Sequence, residues 1–127
     1  FVYGEFVDLK KIQVNGGIGY ERDIAHKTVA WCIKRLGLGR MRNLNVYVNI
    51  QYCRDYCAGY CEEGNNNRSY IITVANNQSL RDFVMTIVHE MVHVKQWVRN
   101  EWTGDGESEA WGLQEKLTDE LWKENII

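Results

Sequence analysis

Residues 79–99, SLRDFVMTIVHEMVHVKQWVR, decide the predicted fold, because their apolar side chains recur at the i, i+3 and i+4 spacing of an amphipathic helix. Ser79 and Asp82 give this helix a start that resembles a capping box, although Glu or Gln is more usual at the last position. Within the segment, residues 89–93 read HEMVH, an H-E-x-x-H motif. Two histidines four positions apart lie one turn apart on the same helix face. The motif therefore predicts that both imidazoles bind one metal ion.

Glu90 is the expected catalytic residue of this motif. Its side chain projects beside the two histidines, where a carboxylate can take a proton from a metal-bound water. The plainer alternative is a helix that carries two histidines satisfied by salt bridges or by core packing.

A third metal ligand is expected from the next predicted helix, residues 107–123. A catalytic zinc usually has three protein ligands and an open fourth position. At about 100° per residue, Glu107 falls nearer the apolar face of this helix than Glu109 does. Glu107 is thus the predicted ligand, and Glu109 is either the alternative ligand or a carboxylate that supports a ligand histidine. His26, among polar neighbours, is interpreted as a surface histidine.

The remaining periodicities predict a small α+β domain around the H-E-x-x-H helix. Alternating apolar residues indicate strands at 43–51 and 70–75, and an amphipathic pattern indicates a first helix at about 23–36. The predicted order is therefore α, β, β, α, α. Residues 1–20 are expected to be an extended or loop segment of a single domain over residues 1–127, and residues 62–69 (EEGNNNRS) are expected to be an exposed loop.

Composition excludes several classes of protein. A chain of 127 residues with 45% hydrophobic and 25% charged residues can bury a core and is not intrinsically disordered. Its apolar runs fall short of the roughly 18 residues that a membrane span needs, so a soluble protein without a membrane partner is expected. The N-terminus resembles neither a signal nor a transit peptide, and it lacks an initiator Met, which suggests a processed product or an excised segment.

The charges are distributed unevenly. Residues 1–54 hold nine Lys or Arg and four acids, whereas residues 55–127 hold six Lys or Arg and thirteen acids. This asymmetry permits a basic face that meets an acidic partner or nucleic acid. The alternative is the solvated side of an amphipathic helix.

Four cysteines leave three possibilities open. Cys53, Cys57 and Cys61 have the spacing C-x3-C-x3-C, and Cys32 lies on the predicted first helix. They form a second metal site, one or two disulfides, or free thiols in a reducing compartment.

HEMVHVKQW followed by ESEAWG resembles the zincin metallopeptidases with a glutamate third ligand (gluzincins), and most closely the compact SprT-like and ImmA/IrrE-like proteins of phage genomes. The resemblance covers roughly residues 43–117. It implies a minimal zincin-like fold and one zinc ion held by His89, His93 and Glu107, with Glu107 opening the E-x-x-A pattern of these families. It also implies a protein of a bacterial cytoplasm or a virion. Neither the third histidine nor the zinc ribbon of many SprT-type proteases is present in this sequence, and Trp111 stands where many gluzincins have Asp.

The resemblance implies hydrolysis of a peptide bond, with zinc activating a water and Glu90 transferring its proton. The strand at 70–75 is expected to offer its backbone to an extended substrate. Candidate donors to the oxyanion are Tyr60, Tyr70, Gln96 and Arg99. Two other functions are open: a non-catalytic zinc-binding structural or virion module, and a SprT-like protease associated with nucleic acid.

Overall fold

Three helices and a four-stranded mixed sheet make up the computed structural model, which describes residues 10–55, 57–66 and 68–127. The predicted α+β class is confirmed. The elements are β1 Lys11–Gly16, α1 Gly19–Arg35, β2 Asn45–Gln51, β3 Gly59–Glu63, β4 Ser69–Ala75, α2 Leu80–Arg99 and α3 Glu107–Lys123. Both helices of the predicted site, α2 and α3, have the bounds that their apolar periodicity indicates.

Helix α2 begins and ends at residues suited to those positions. The Ser79 hydroxyl accepts a hydrogen bond from the Asp82 backbone N–H at 3.1 Å, as the capping pattern predicts. Asn100 ends the helix with φ of 52°, a left-handed conformation that Asn tolerates better than most residues. Between these caps, α2 is buried on all sides from Ile87 to Val94, the stretch that carries the H-E-x-x-H motif.

The predicted order α, β, β, α, α is wrong because it lacks two strands, β1 and β3. β1 lies at one edge of the sheet and alternates over only two apolar residues, Ile12 and Val14, and β3 has only five residues, so neither gives a long apolar alternation. Glu62 and Glu63 belong to β3, and only the rest of the predicted 62–69 loop lies between strands. Of the predicted N-terminal segment, residues 11–16 form β1, residues 19–20 open α1, and residues 1–9 lie outside the described residues.

The sheet order is β1-β2-β4-β3, with β1, β2 and β4 parallel and β3 antiparallel to β4. The strand predicted at 70–75 is therefore an interior strand whose backbone is paired on both sides, and it cannot receive a substrate as an edge strand. The free edge nearest to α2 belongs to β3 instead.

Gly59 lets β3 lie close to both β4 and α2. A Cβ at this position would lie 2.5 Å from the Thr73 carbonyl oxygen and 2.7 Å from Thr86 Cγ2. Because a side chain would push the strand outward, glycine keeps β3 close to the helix that carries the motif.

The core lies between the sheet and the helices. On β2 and β4 the residues that face the helices are almost fully buried. Their neighbours on the opposite face are partly or fully exposed along β2, whereas on β4 only Ile71 is partly exposed. The buried set on these strands includes Val46, Val48, Ile50, Tyr70, Ile72 and Val74. No helix in the described ranges is long and apolar enough to cross a membrane.

The register of β4 predicts unequal effects for two adjacent isoleucines. Ile72 is fully buried on the helix-facing side, and Ile71 is partly buried on the other side. We expect Ile72→Ala to lower the free energy of unfolding by about 2–5 kcal/mol, because it leaves a core cavity. Ile71→Ala is the matched control, and its loss should be clearly smaller. Urea unfolding with a metal chelator present measures both, and a larger loss for Ile71→Ala would contradict the register.

Candidate metal centre

Helix α2 presents His89 and His93 to the first turn of α3. His93 Nε2 lies 2.6 Å from Glu107 Oε1, and His89 Nε2 lies 3.2 Å from Glu107 Oε2. One ligand atom from each of the three residues lies within 4.8 Å of the others. The predicted trio therefore forms a group within metal-binding distance, with both histidines buried and Glu107 partly exposed.

The other ring nitrogen of each histidine is held by a glutamine. His93 Nδ1 lies 2.7 Å from Gln96 Oε1, and His89 Nδ1 lies 2.8 Å from Gln114 Oε1. The orientation of the Gln96 amide follows from its nitrogen, which donates to the Gly106 carbonyl at 2.9 Å and to Glu109 Oε1 at 2.8 Å. Its oxygen can only accept, so His93 donates from Nδ1.

This arrangement fits a bound cation. A neutral imidazole that donates from Nδ1, as His93 does, has a lone pair at Nε2, and this atom faces the Glu107 carboxylate, whose ionised oxygens only accept. His89 Nε2 faces the other oxygen of the same carboxylate. Lone pairs that face one another at hydrogen-bonding distance need a proton or a metal ion between them. Two imidazole nitrogens and one carboxylate oxygen are also a common ligand set for a catalytic zinc.

Glu109 supports the ligands and is not itself one of the clustered group. Its two oxygens accept hydrogen bonds from Gln96 Nε2 and from Lys95 Nζ, each at 2.8 Å. These bonds, the one from Lys95 first, hold the pKa of Glu109 below its usual value. Glu109 therefore lies outside the trio and is connected to His93 only through Gln96.

Gly106 joins this network to the turn between α2 and α3. It has φ of 80°, and a Cβ there would contact Gln96 Oε1 and lie 2.7 Å from the Trp102 ring. A side chain at this position would therefore strain the backbone and displace Gln96, which orients His93.

Neither glutamine was predicted from the sequence, although helical spacing points to both. Gln96 follows His93 by three positions and so shares its face of α2. Gln114 follows Glu107 by seven positions, two turns along the same face of α3. A search for polar residues at these offsets from each ligand would have found both.

Glu90 lies beside the metal group and is only 6% exposed. Burial, and the nearby Glu107 charge to a lesser degree, raise its pKa, while His89 and His93 oppose the shift. The side chain has no hydrogen bond or ion pair with the described residues, yet it lines a cleft beside α2. A buried carboxylate of this kind is available to a ligand that brings a donor.

A cleft of about 760 Å³ runs along α2 between β3 and α3, and it contains the trio and Glu90. Two indoles flank the histidines: Trp102 stacks on His93 with ring centroids 6.0 Å apart, and Trp111 meets His89 edge-on at 5.2 Å. Trp111 is 63% exposed, so it is not a core residue. It therefore forms part of the cleft wall.

Of the four candidate oxyanion donors, only Tyr60 borders the cleft. β3 pairs Cys61 with the buried Ile72, so the alternation of the strand places the Tyr60 side chain on the opposite face of the sheet. The other three lie elsewhere. The Gln96 amide is fully used, Arg99 donates to two carbonyls at the end of α1, and Tyr70 stacks on Trp97 within the core.

The cysteines do not come together as one site. Cys53 and Cys57 form a disulfide in the connection between β2 and β3, whereas Cys32 is buried in α1 and Cys61 is partly buried on β3, both as free thiols. Burial raises the pKa of both thiols. No cysteine belongs to the metal-binding group found among the described residues.

His26 is exposed on α1 and lines a different cavity, which fits its interpretation as a surface histidine. Comparisons with protein-family profiles, with curated proteins and with solved structures give no significant match for this chain.

The contacts of the two acids predict different effects on metal affinity. Glu107→Gln removes a carboxylate that both histidines face, and we expect it to weaken metal binding more than about 100-fold. Glu109→Gln makes the same chemical change two positions further along the same turn, outside the trio, and its indirect effect should be about 10-fold. Competition with a chromophoric chelator measures both affinities. Equal losses, or a larger loss for Glu109→Gln, would contradict the assignment of Glu107.

Proposed function

We propose that this protein is a zinc-dependent peptidase that uses Glu90 as its general base. The observation that carries the proposal is the convergence of the His89 and His93 Nε2 atoms on Glu107, with the buried and unpaired Glu90 in the same cleft. The resemblance of residues 89–93 and 107–110 to the gluzincin motifs supports the same function.

His89, His93 and Glu107 would hold the metal, and the two glutamines keep the histidine lone pairs directed at it. When bound in such a site, zinc supplies Lewis-acid chemistry that polarises a carbonyl and makes a water more acidic. Trp102 and Trp111, which flank the two histidines, limit the access of solvent to them.

Glu90 performs the proton transfer. Its carboxylate accepts a proton from the attacking water and delivers it to the amine nitrogen of the leaving group. Its lack of hydrogen bonds within the described structure leaves both oxygens free for these steps.

The substrate backbone would lie along β3. This strand is the edge of the sheet, borders the cleft and runs beside α2, so its unpaired backbone groups can bind an extended peptide by strand addition. Gly59 at its start keeps this edge close to the metal group.

The proposal predicts that Glu90→Gln keeps its metal and loses peptide cleavage by about 10²–10⁴-fold, because only the proton transfer is removed. Glu115→Gln, on the exposed side of α3, is the matched control and should retain activity. Cleavage of a peptide library, followed by mass spectrometry, measures turnover. Undiminished turnover by Glu90→Gln would refute the role of Glu90. Metal binding without cleavage of any peptide by the wild-type protein would favour a non-catalytic zinc-binding module.

A further inference from the structure

The cleft is acidic. Its lining, all from the described part of the chain, includes four carboxylates and no Lys or Arg. Glu90 and Glu107 belong to the site itself, whereas Asp82 lies at the start of α2 and Asp105 lies in the turn before α3. A divalent cation would offset the first pair, so Asp82 and Asp105 would still leave the cleft with a negative charge.

The basic residues of the neighbouring elements are held away from the cleft. Lys95 donates to Glu109, and Arg81 pairs with Asp119 on α3. Arg99 donates to carbonyl oxygens at the end of α1. Among the described residues, these three cations therefore do not compensate the charge of the cleft, and no Lys or Arg lines it.

The exposed indole of Trp102 is a second feature of the cleft that favours a cationic ligand. Trp102 is held in place by His93 on one side and by Trp97, whose ring centroid lies 5.3 Å away nearly at right angles. It shares its turn with Asp105, and both residues line the cleft. An indole face beside a carboxylate binds an ammonium or guanidinium group through cation–π and ionic attraction together.

Buried Glu90 indicates that the cleft receives a ligand. It is a polar side chain more than nine-tenths buried, it lines the cleft, and it has no partner among the described residues. A ligand that brings an O–H or N–H donor into the cleft would satisfy it.

We propose that the cleft binds peptides with a Lys or Arg side chain close to the scissile bond, and that Trp102 and Asp105 receive the cation. This inference rests on the proposed peptidase function for its substrate class, but the recognition of a basic side chain can be tested without turnover.

The experiment compares three labelled peptides that differ at one position, Lys, norleucine or Glu. Their binding to the zinc-loaded Glu90→Gln protein is measured by fluorescence anisotropy. We expect the Lys peptide to bind about 5- to 10-fold more tightly than the norleucine peptide, and the Glu peptide to bind most weakly. Asp105→Asn, introduced into the same protein, should reduce the preference for Lys to about 2-fold or less.

Asp105→Asn removes the charge and keeps the local hydrogen bond. An Asn oxygen can still accept the 3.0 Å hydrogen bond that the Glu107 backbone N–H donates to Asp105 Oδ1. Glu101→Gln removes the same charge from the same turn, at an exposed residue that does not line the cleft, and should leave the preference unchanged. The inference would be overturned if the three peptides bound equally or if none bound up to about 1 mM. It would also be overturned if the two variants changed the preference for Lys equally. A preference for Lys in a protein whose wild-type form cleaves no peptide would uphold it and refute the peptidase.

Discussion

The Gln96 amide, fully buried near the end of α2, makes hydrogen bonds in three directions. Its oxygen faces His93 Nδ1, and its nitrogen donates to the Gly106 carbonyl and to Glu109. One side chain thereby fixes the tautomer of His93, the turn that leads into α3 and the first turn of α3 itself. Since Glu107 lies in that same turn, its position beside the two histidines depends on this amide as well.

The network makes the centre suited to a cation. His93 donates from Nδ1 to Gln96, so its Nε2 lone pair faces the Glu107 carboxylate, and His89 Nε2 faces the other oxygen of that carboxylate. Acceptors held this close to one another cost free energy unless a proton or a metal ion lies between them.

The sequence alone predicted the parts that depend on one helix and its periodicity. The face of α2, its Ser79 cap and the nearness of Glu107 to the apolar side of α3 all follow from spacing that local geometry determines. β1 and β3 were missed because their side chains are largely exposed and their stability comes from pairing with distant strands. For the same reason β4 was wrongly expected at an edge, since strand order depends on contacts between residues far apart in the chain. The glutamines were missed because an amide carries no metal-binding signature of its own.

The proposed function requires a cation between His89, His93 and Glu107. The metal content of the purified protein tests this most directly. Elemental mass spectrometry on protein prepared without added metal, and again after zinc addition and dialysis, gives the number of ions per chain. We predict about one zinc ion per chain, lost when both histidines are replaced by alanine. A value near zero that added zinc does not restore, or one unchanged in the double variant, would contradict the account.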